Sequence, residues 1–176
     1  MSYFQVMPAF LDFISVFGSQ TDPRDLRYCG FREQIVLTDS PRSPPVLDLR
    51  RSGQQYQLCY NLKSVERIAP PDSEAIPWSI RQAAFHHQFD IREGTTLWVV
   101  VKGDLSLKKT IQETTGKNGR PEDREFNSPE ECFKSSLTIH MVYSHWATSE
   151  WRSYIRWLEE KIEGVSKKNW APLYNY

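Results

Sequence analysis

The sequence predicts an α/β (α+β) domain, with a mixed β-sheet and a central hairpin flanked by helices, ending in a C-terminal helical pair. Three observations carry that reading. Residues 78–101, WSIRQAAFHHQFDIREGTTLWVVV, read as strand, tight turn, strand. Further segments of strand character precede it, at Phe31–Leu37, Val46–Leu49 and 55–62. From Ser128 onward, apolar residues recur at helical spacing instead.

In the hairpin, Phe85, His87, Phe89 and Ile91 alternate with Ala84, His86, Gln88 and Asp90. That period predicts a strand with one buried face. Arg92-Glu93-Gly94-Thr95 supplies the turn, with Gly94 free to take positive φ. Leu97–Val101 is a continuous apolar, β-branched run, which predicts a central strand covered on both faces, with Trp98, Val99 and Val100 largely buried.

The remaining elements follow in order. Pro8 to Phe17 places Phe10, Phe13, Ile14 and Phe17 on one helical face, with Gly18 as C-cap. This short helix is expected to pack on its own sheet. It lacks the basic polar face of a membrane-surface helix. A loop is expected at 20–25. Phe31–Leu37 and Val46–Leu49 read as strands around the turn SPRSPP. Tyr56, Leu58, Tyr60 and Leu62 alternate with polar neighbours as a half-buried strand. Pro70, Pro71 and Pro77 bracket a loop, and Ile80–Ala84 is expected to make a brief helical turn. Leu105–Glu113 is expected to be helical.

Residues 114–128 are polar, with two Gly and one Pro, and read as a mobile loop. Ser128, Pro129 and Glu131 form a capping box that starts a helix. Its stripe is Phe133, Leu137, His140, Met141 and Ser144, with a break at Thr148-Ser149. Trp151, Tyr154, Ile155, Leu158 and Ile162 form a second stripe closed by Gly164. The expected organisation is therefore 1–114, helix plus sheet; 115–128, mobile loop; 129–164, helical pair packed on the same domain; and 165–176, tail.

Lys plus Arg and Asp plus Glu are 22 each, so no global field favours nucleic acid as a partner. Aromatics at 13%, with six Trp, suffice for a sizeable core and exclude a disordered chain. Cys29, Cys59 and Cys132 are odd in number and in no CxxC pair, which predicts reduced, mostly buried thiols. The first 18 residues lack the basic start of a secretory signal and carry Asp12. No apolar run approaches the roughly 20 residues of a membrane helix.

No catalytic motif stands out. Adjacent His86 and His87 on a strand point to opposite faces, so they are a poor metal pair. One is expected in the core and the other in solvent. His140 and His145, five apart, do not share a helical face. Arg81 is placed to pair with Asp90. Glu122, Asp123 and Glu125 lack the ligand spacing of an EF-hand. Glu159, Glu160 and Glu163 read as a solvated helix face that could hold a hard cation only with oxygens from a neighbouring chain. GxSxG, GxxxxGK[ST] and GxGxxG are all absent.

Pro77-Trp78-Ser79-Ile80-Arg81-Gln82, His87-x-Phe89-Asp90, Gly94 and Trp98 together resemble the soluble N-terminal domain of fungal CorA-like transporter proteins. The later stretch, His145-Trp146 with Trp151-Arg152-x-Tyr154 and Leu158-Glu159, is also similar to that family. The likeness spans about residues 20–164. It implies a mixed α/β cytosolic domain, and in the wider superfamily magnesium transport by a pentamer whose cytosolic domain senses divalent cations at subunit interfaces. It assigns no role to Trp78, Arg81, Gln82, His87, Phe89, Asp90 or Trp98. No metal-sensing residue can be carried over. The Gly-Met-Asn signature of the family's pore entrance is absent, so this chain alone is not expected to conduct ions. It is expected to be an excised cytosolic domain or a short relative without the channel.

The expectation is therefore a non-enzymatic regulatory or interaction domain in the cytosol. It would need no cofactor beyond weak Mg²⁺ at an oligomer interface. Its partners would be proteins or copies of itself, with no nucleic acid and no small-molecule substrate. It would reach a membrane only through a transmembrane part of a longer chain. The alternatives are a stand-alone intracellular interaction module unrelated to ion transport, and a hydrolase using His87 or His140.

Overall fold

The computed structural model describes residues 3–17, 29–70, 76–103 and 105–170. The Gly18 cap, the 20–25 loop and parts of the proline loop and tail lie outside these residues. Four strands form one sheet in the order β1-β2-β3-β4: β1 Phe31–Val36, β2 Gln55–Arg67, β3 Trp78–Asp90 and β4 Thr96–Val101. β1 pairs antiparallel with β2, Phe31 opposite Tyr60 and Ile35 opposite Tyr56. β4 pairs antiparallel with β3, Ala84 opposite Val101 and Phe89 opposite Thr96. The helices are α1 Phe10–Ser15, α2 Leu105–Thr115, α3 Pro129–Thr148 and α4 Trp151–Trp170.

Contacts divide the chain into two compact units, Met1–Leu62 with Gln82–His145, and Lys63–Arg81 with Trp146–Tyr176. In the first, Phe10 and Phe13 of α1 are fully buried and cluster with Val6, Met7, Cys59 and Ala84. Burying each phenylalanine contributes about 1.5–3 kcal/mol. Cys59 and Ala84 mark one face of the sheet, while Tyr60, Phe85 and His87 point to the other. That second face meets α3. In the second unit, Trp78 packs edge-on against Tyr154 of α4 and beneath the Arg67 guanidinium. Arg81 pairs with Glu66 at 2.9 Å on the exposed surface.

The tertiary arrangement changes several local expectations. The strand covered on both faces is β3, buried continuously from Ala83 to Asp90. β4 is an edge strand, and Val100 is 36% exposed. The apolar run of β4 packs its Leu97, Val99 and Val101 face toward the α1 cluster without being central. Residues 80–84 are strand, not a helical turn. Leu47–Leu49 is a 3₁₀ turn, not a strand, because Arg50 enters the left-handed region at φ 49° and Val46 bridges back to Arg51. In β2, the polar residues Gln55, Gln57 and Asn61 are more deeply buried than Tyr56 and Tyr60. Burial follows which face the segments around Met7, Gly30 and Ser43 cover and supply with hydrogen bonds, rather than side-chain polarity alone.

The start of α3 behaves as its sequence predicts. Ser128 Oγ accepts from Glu131 N at 3.3 Å, while Glu131 Oε2 accepts from Asn127 N at 2.9 Å. Its buried stripe is rotated from the predicted one: Ser135, Ser136, Ile139 and Tyr143 are buried, whereas Leu137 and Met141 are 45% and 69% exposed. The two serines can be buried because their hydroxyls donate to the carbonyls of Glu125 and Phe133. Thr148-Ser149 does end α3, with Glu150 at φ 62°. α4 continues through Gly164 to Trp170. Of the three thiols, Cys59 alone is buried, and Cys29 is exposed.

Candidate functional site: a buried histidine relay

The hairpin turn fixes one end of the site. Gly94 adopts φ 67°, and a Cβ there would meet Pro129 Cα at 2.9 Å. The turn therefore abuts the start of α3 too closely for any side chain. Asp90 holds the same turn. Its carboxylate accepts from Ser52 N at 2.6 Å, Ser52 Oγ at 2.9 Å, Arg92 N at 3.1 Å and Glu93 N at 2.9 Å. Arg81, the expected partner of Asp90, is engaged by Glu66 instead. Asp90 thus spends its charge on backbone amides next to buried Arg51.

With the turn and α3 fixed, His87 of β3 faces His140 of α3. Four hydrogen bonds run in series. Tyr60 Oη lies 2.7 Å from His140 Nδ1, and His140 Nε2 lies 3.0 Å from His87 Nδ1. His87 Nε2 lies 2.9 Å from Thr96 Oγ1, which lies 3.3 Å from the Gln88 carbonyl. The terminal carbonyl can only accept, so it sets the direction. Thr96 donates to it and accepts from His87 Nε2–H. His87 Nδ1 then accepts from His140 Nε2–H, and His140 Nδ1 accepts from the Tyr60 hydroxyl. With both imidazoles neutral, as burial favours, this order places the proton of each on Nε2.

An aromatic cage encloses this chain. Trp98 stacks flat on His87, with centroids 3.9 Å apart and an 8° interplanar angle, and also meets His140 edge-on. Tyr60 stacks on Phe85, and Tyr143 packs against both Phe85 and Trp98. Burial pushes the imidazoles toward neutrality. His87 falls to about 2, with further lowering from His140 and His86, and His140 falls to about 4. Burial pushes the Tyr60 and Tyr143 phenols well above their ordinary range.

His86 points to the other face and is also fully buried, contrary to the expectation that one of the pair faces solvent. α1 covers it, with Phe10 5.3 Å from its ring, and Nε2 lies 3.0 Å from Gln57 Oε1 and 3.4 Å from the Met7 amide. Its Nδ1 has no partner among the described residues. Burial, then Arg51, lowers its pKa to about 4.

Of the seven signature residues, His87, Phe89, Asp90 and Trp98 gather around the relay and its turn. Trp78 and Arg81 belong to the second unit, and Gln82 is half-buried at the boundary of the sequence segments. Sequence reasoning missed Tyr60, Thr96 and Tyr143, and weighed His140 only against His145, a pair it set aside, rather than against His87. Residues 53 positions apart on a strand and a helix leave no spacing signal. The alternation that puts Tyr56 and Tyr60 on one face was the available clue.

Beside the relay lies an open apolar groove of about 560 Å³, lined by Tyr56, Phe89, Ile91, Pro129, Phe133 and Leu137, with Glu130 and Lys134. A larger cleft of about 820 Å³ includes Arg50, Arg51 and Arg92, opposed by Asp39 and Glu93. Neither is lined by a histidine. Among the described residues, no three His, Cys, Asp or Glu side chains converge as a metal site. Among them, no helix is long and apolar enough to cross a membrane. The profile of a family described as CorA-like transporters matches residues 1–170. No curated protein and no solved structure gives a significant match.

Proposed function

Because the chain belongs to the family of CorA-like transporters, we propose that it is a regulatory or interaction domain of that family which works by association rather than catalysis. The observation that carries this reading is the family match across residues 1–170. The domain has no pore of its own in this reading, and it acts in the cytosol. It takes Mg²⁺ weakly, where copies meet. The relay supports a binding role over a hydrolytic one. Every nitrogen of His87 and His140 is already committed, and burial holds both rings far below the range of a general base working near pH 7.

Self-association is the form of interaction favoured by α4. Ile155, Leu158, Ile162 and Val165 repeat at the three-and-four spacing of a helix-packing seam. Ile155, Ile162 and Val165 are 49%, 68% and 60% exposed. Exposed apolar rows of this kind mark contact surfaces. Sedimentation velocity across a concentration series tests the proposal. Reversible, concentration-dependent association is expected, and changing Ile155→Glu with Ile162→Glu abolishes it. A chain that stays monomeric throughout, or association unaffected by the double change, contradicts self-association through α4.

A further inference from the structure

We propose that the Tyr60–His140–His87–Thr96 relay is an acid-sensitive latch that holds α3 on the sheet. The geometry carries this. The chain of bonds is unbranched and ends on a carbonyl that can only accept. Among the described residues, neither imidazole has another hydrogen-bond partner. Each ring donates once and accepts once, so an added proton can be taken up only by reversing the chain as far as Tyr60.

Protonating His140 makes both its nitrogens donors, and Nδ1–H then faces the Tyr60 hydroxyl. That hydroxyl must turn from donor to acceptor and point its own O–H at water. Protonating His87 has a longer consequence. Its Nδ1–H would meet His140 Nε2–H, so His140 must shift its own proton to Nδ1, with the same result at Tyr60. Either way the bond closing α3 onto β2 reverses, and a positive charge appears inside the aromatic cage.

Among the described residues, nothing nearby offsets that charge. β2 contributes Tyr56 and Tyr60, β3 contributes His86 from its far face, and β4 presents Thr96 and Trp98. α3 adds Tyr143 and Cys132, and α2 adds Ile111 and Thr115 at the small cavity next to Thr96 and Trp98. None is a carboxylate. An imidazolium on fully buried His87 is desolvated without a counter-charge, one on half-buried His140 is partly so, and the available relief is to open the α3–sheet contact and admit more water.

The sign follows from the neutral folded state. Above about pH 6.5 the imidazoles are neutral whether folded or not, and the latch costs nothing. As pH falls from 6.5 toward 4, the opened state takes up protons that the closed state refuses, so closure weakens. At pH 5 each histidine is expected to shift the opening equilibrium about 30-fold relative to pH 7.5.

Nitrogen-15 NMR of the full chain at pH 7.5, together with amide hydrogen exchange at pH 7.5 and 5.0, tests this. Both His87 and His140 should be Nε2–H tautomers. After correction for intrinsic rates, amides of α3 around His140 should open at least tenfold more at pH 5.0 than at pH 7.5, ahead of β2 and β3. His140→Gln, whose amide can still accept from Tyr60 and donate to His87, should cut that increase by about 30-fold and leave the share that His87 contributes. His145→Gln, at an exposed site on the same helix, should keep it. An Nδ1–H tautomer at either ring, or α3 and the sheet opening together, overturns the proposal. So does an undiminished response in a folded His140→Gln. If that variant does not fold, the tautomers and exchange pattern of the unaltered chain still decide.

Discussion

Replacing Asp90 with Ala is expected to lower folding stability by about 3–5 kcal/mol, the usual cost of removing one partner from a buried, charge-assisted cluster. The carboxylate is 1% exposed, and it accepts from the Ser52 amide and hydroxyl and from the amides of Arg92 and Glu93. Without it, these donors lose their acceptor, and buried Arg51 loses its nearby negative charge. Asp90→Asn should cost less, since an amide oxygen can still accept from part of the set. Urea denaturation at pH 7 reads both. A loss below about 1 kcal/mol for the alanine variant would show that the turn is held by other means.

Phe85→Ala should be comparably severe, at about 3–5 kcal/mol. The ring is fully buried, with Tyr60 stacked at 5.2 Å and Tyr143 at 4.2 Å. Its removal opens a cavity directly behind the relay. A matched change at Val100, 36% exposed on the edge strand, should cost far less. Equal losses at the two positions, by thermal or urea unfolding, would mean that β3 is not the energetic centre of the sheet.

The contrast between Phe85 and Val100 shows what the sequence could carry. Alternation located the hairpin and its Gly94 turn, because those depend on neighbours a few residues apart. The capping residues Ser128 and Glu131 were legible for the same reason. The order of strands across the sheet was not, since a run such as Leu97–Val101 is equally apolar in a central strand or in an edge strand covered by helices. Nor could alternation reveal that Gln55 would be buried against Ser43, Gln57 against the Met7 amide and His86 against Phe10. A polar row becomes core only when a distant segment covers it and supplies partners. The site was half legible: His87, Phe89, Asp90 and Trp98 stand in one stretch, whereas Tyr60 and His140 join them through tertiary packing alone.

The acidic segments bear most directly on the proposed function. Glu160 lies 3.5 Å from Arg156, and Glu163 lies 3.6 Å from Lys167. Asp123 accepts from Thr138 at 2.9 Å. These carboxylates sit on separate segments, whereas Mg²⁺ retains most of its waters and requires well-placed oxygens. A domain that acts by association, and meets Mg²⁺ only where copies come together, should not bind the ion tightly as a monomer. Calorimetric titration of the monomeric chain with Mg²⁺ tests this. Weak heats or none are expected. A micromolar site on the monomer would contradict the account and point to the Glu159–Glu160–Glu163 face or the 122–125 loop as a metal site in its own right.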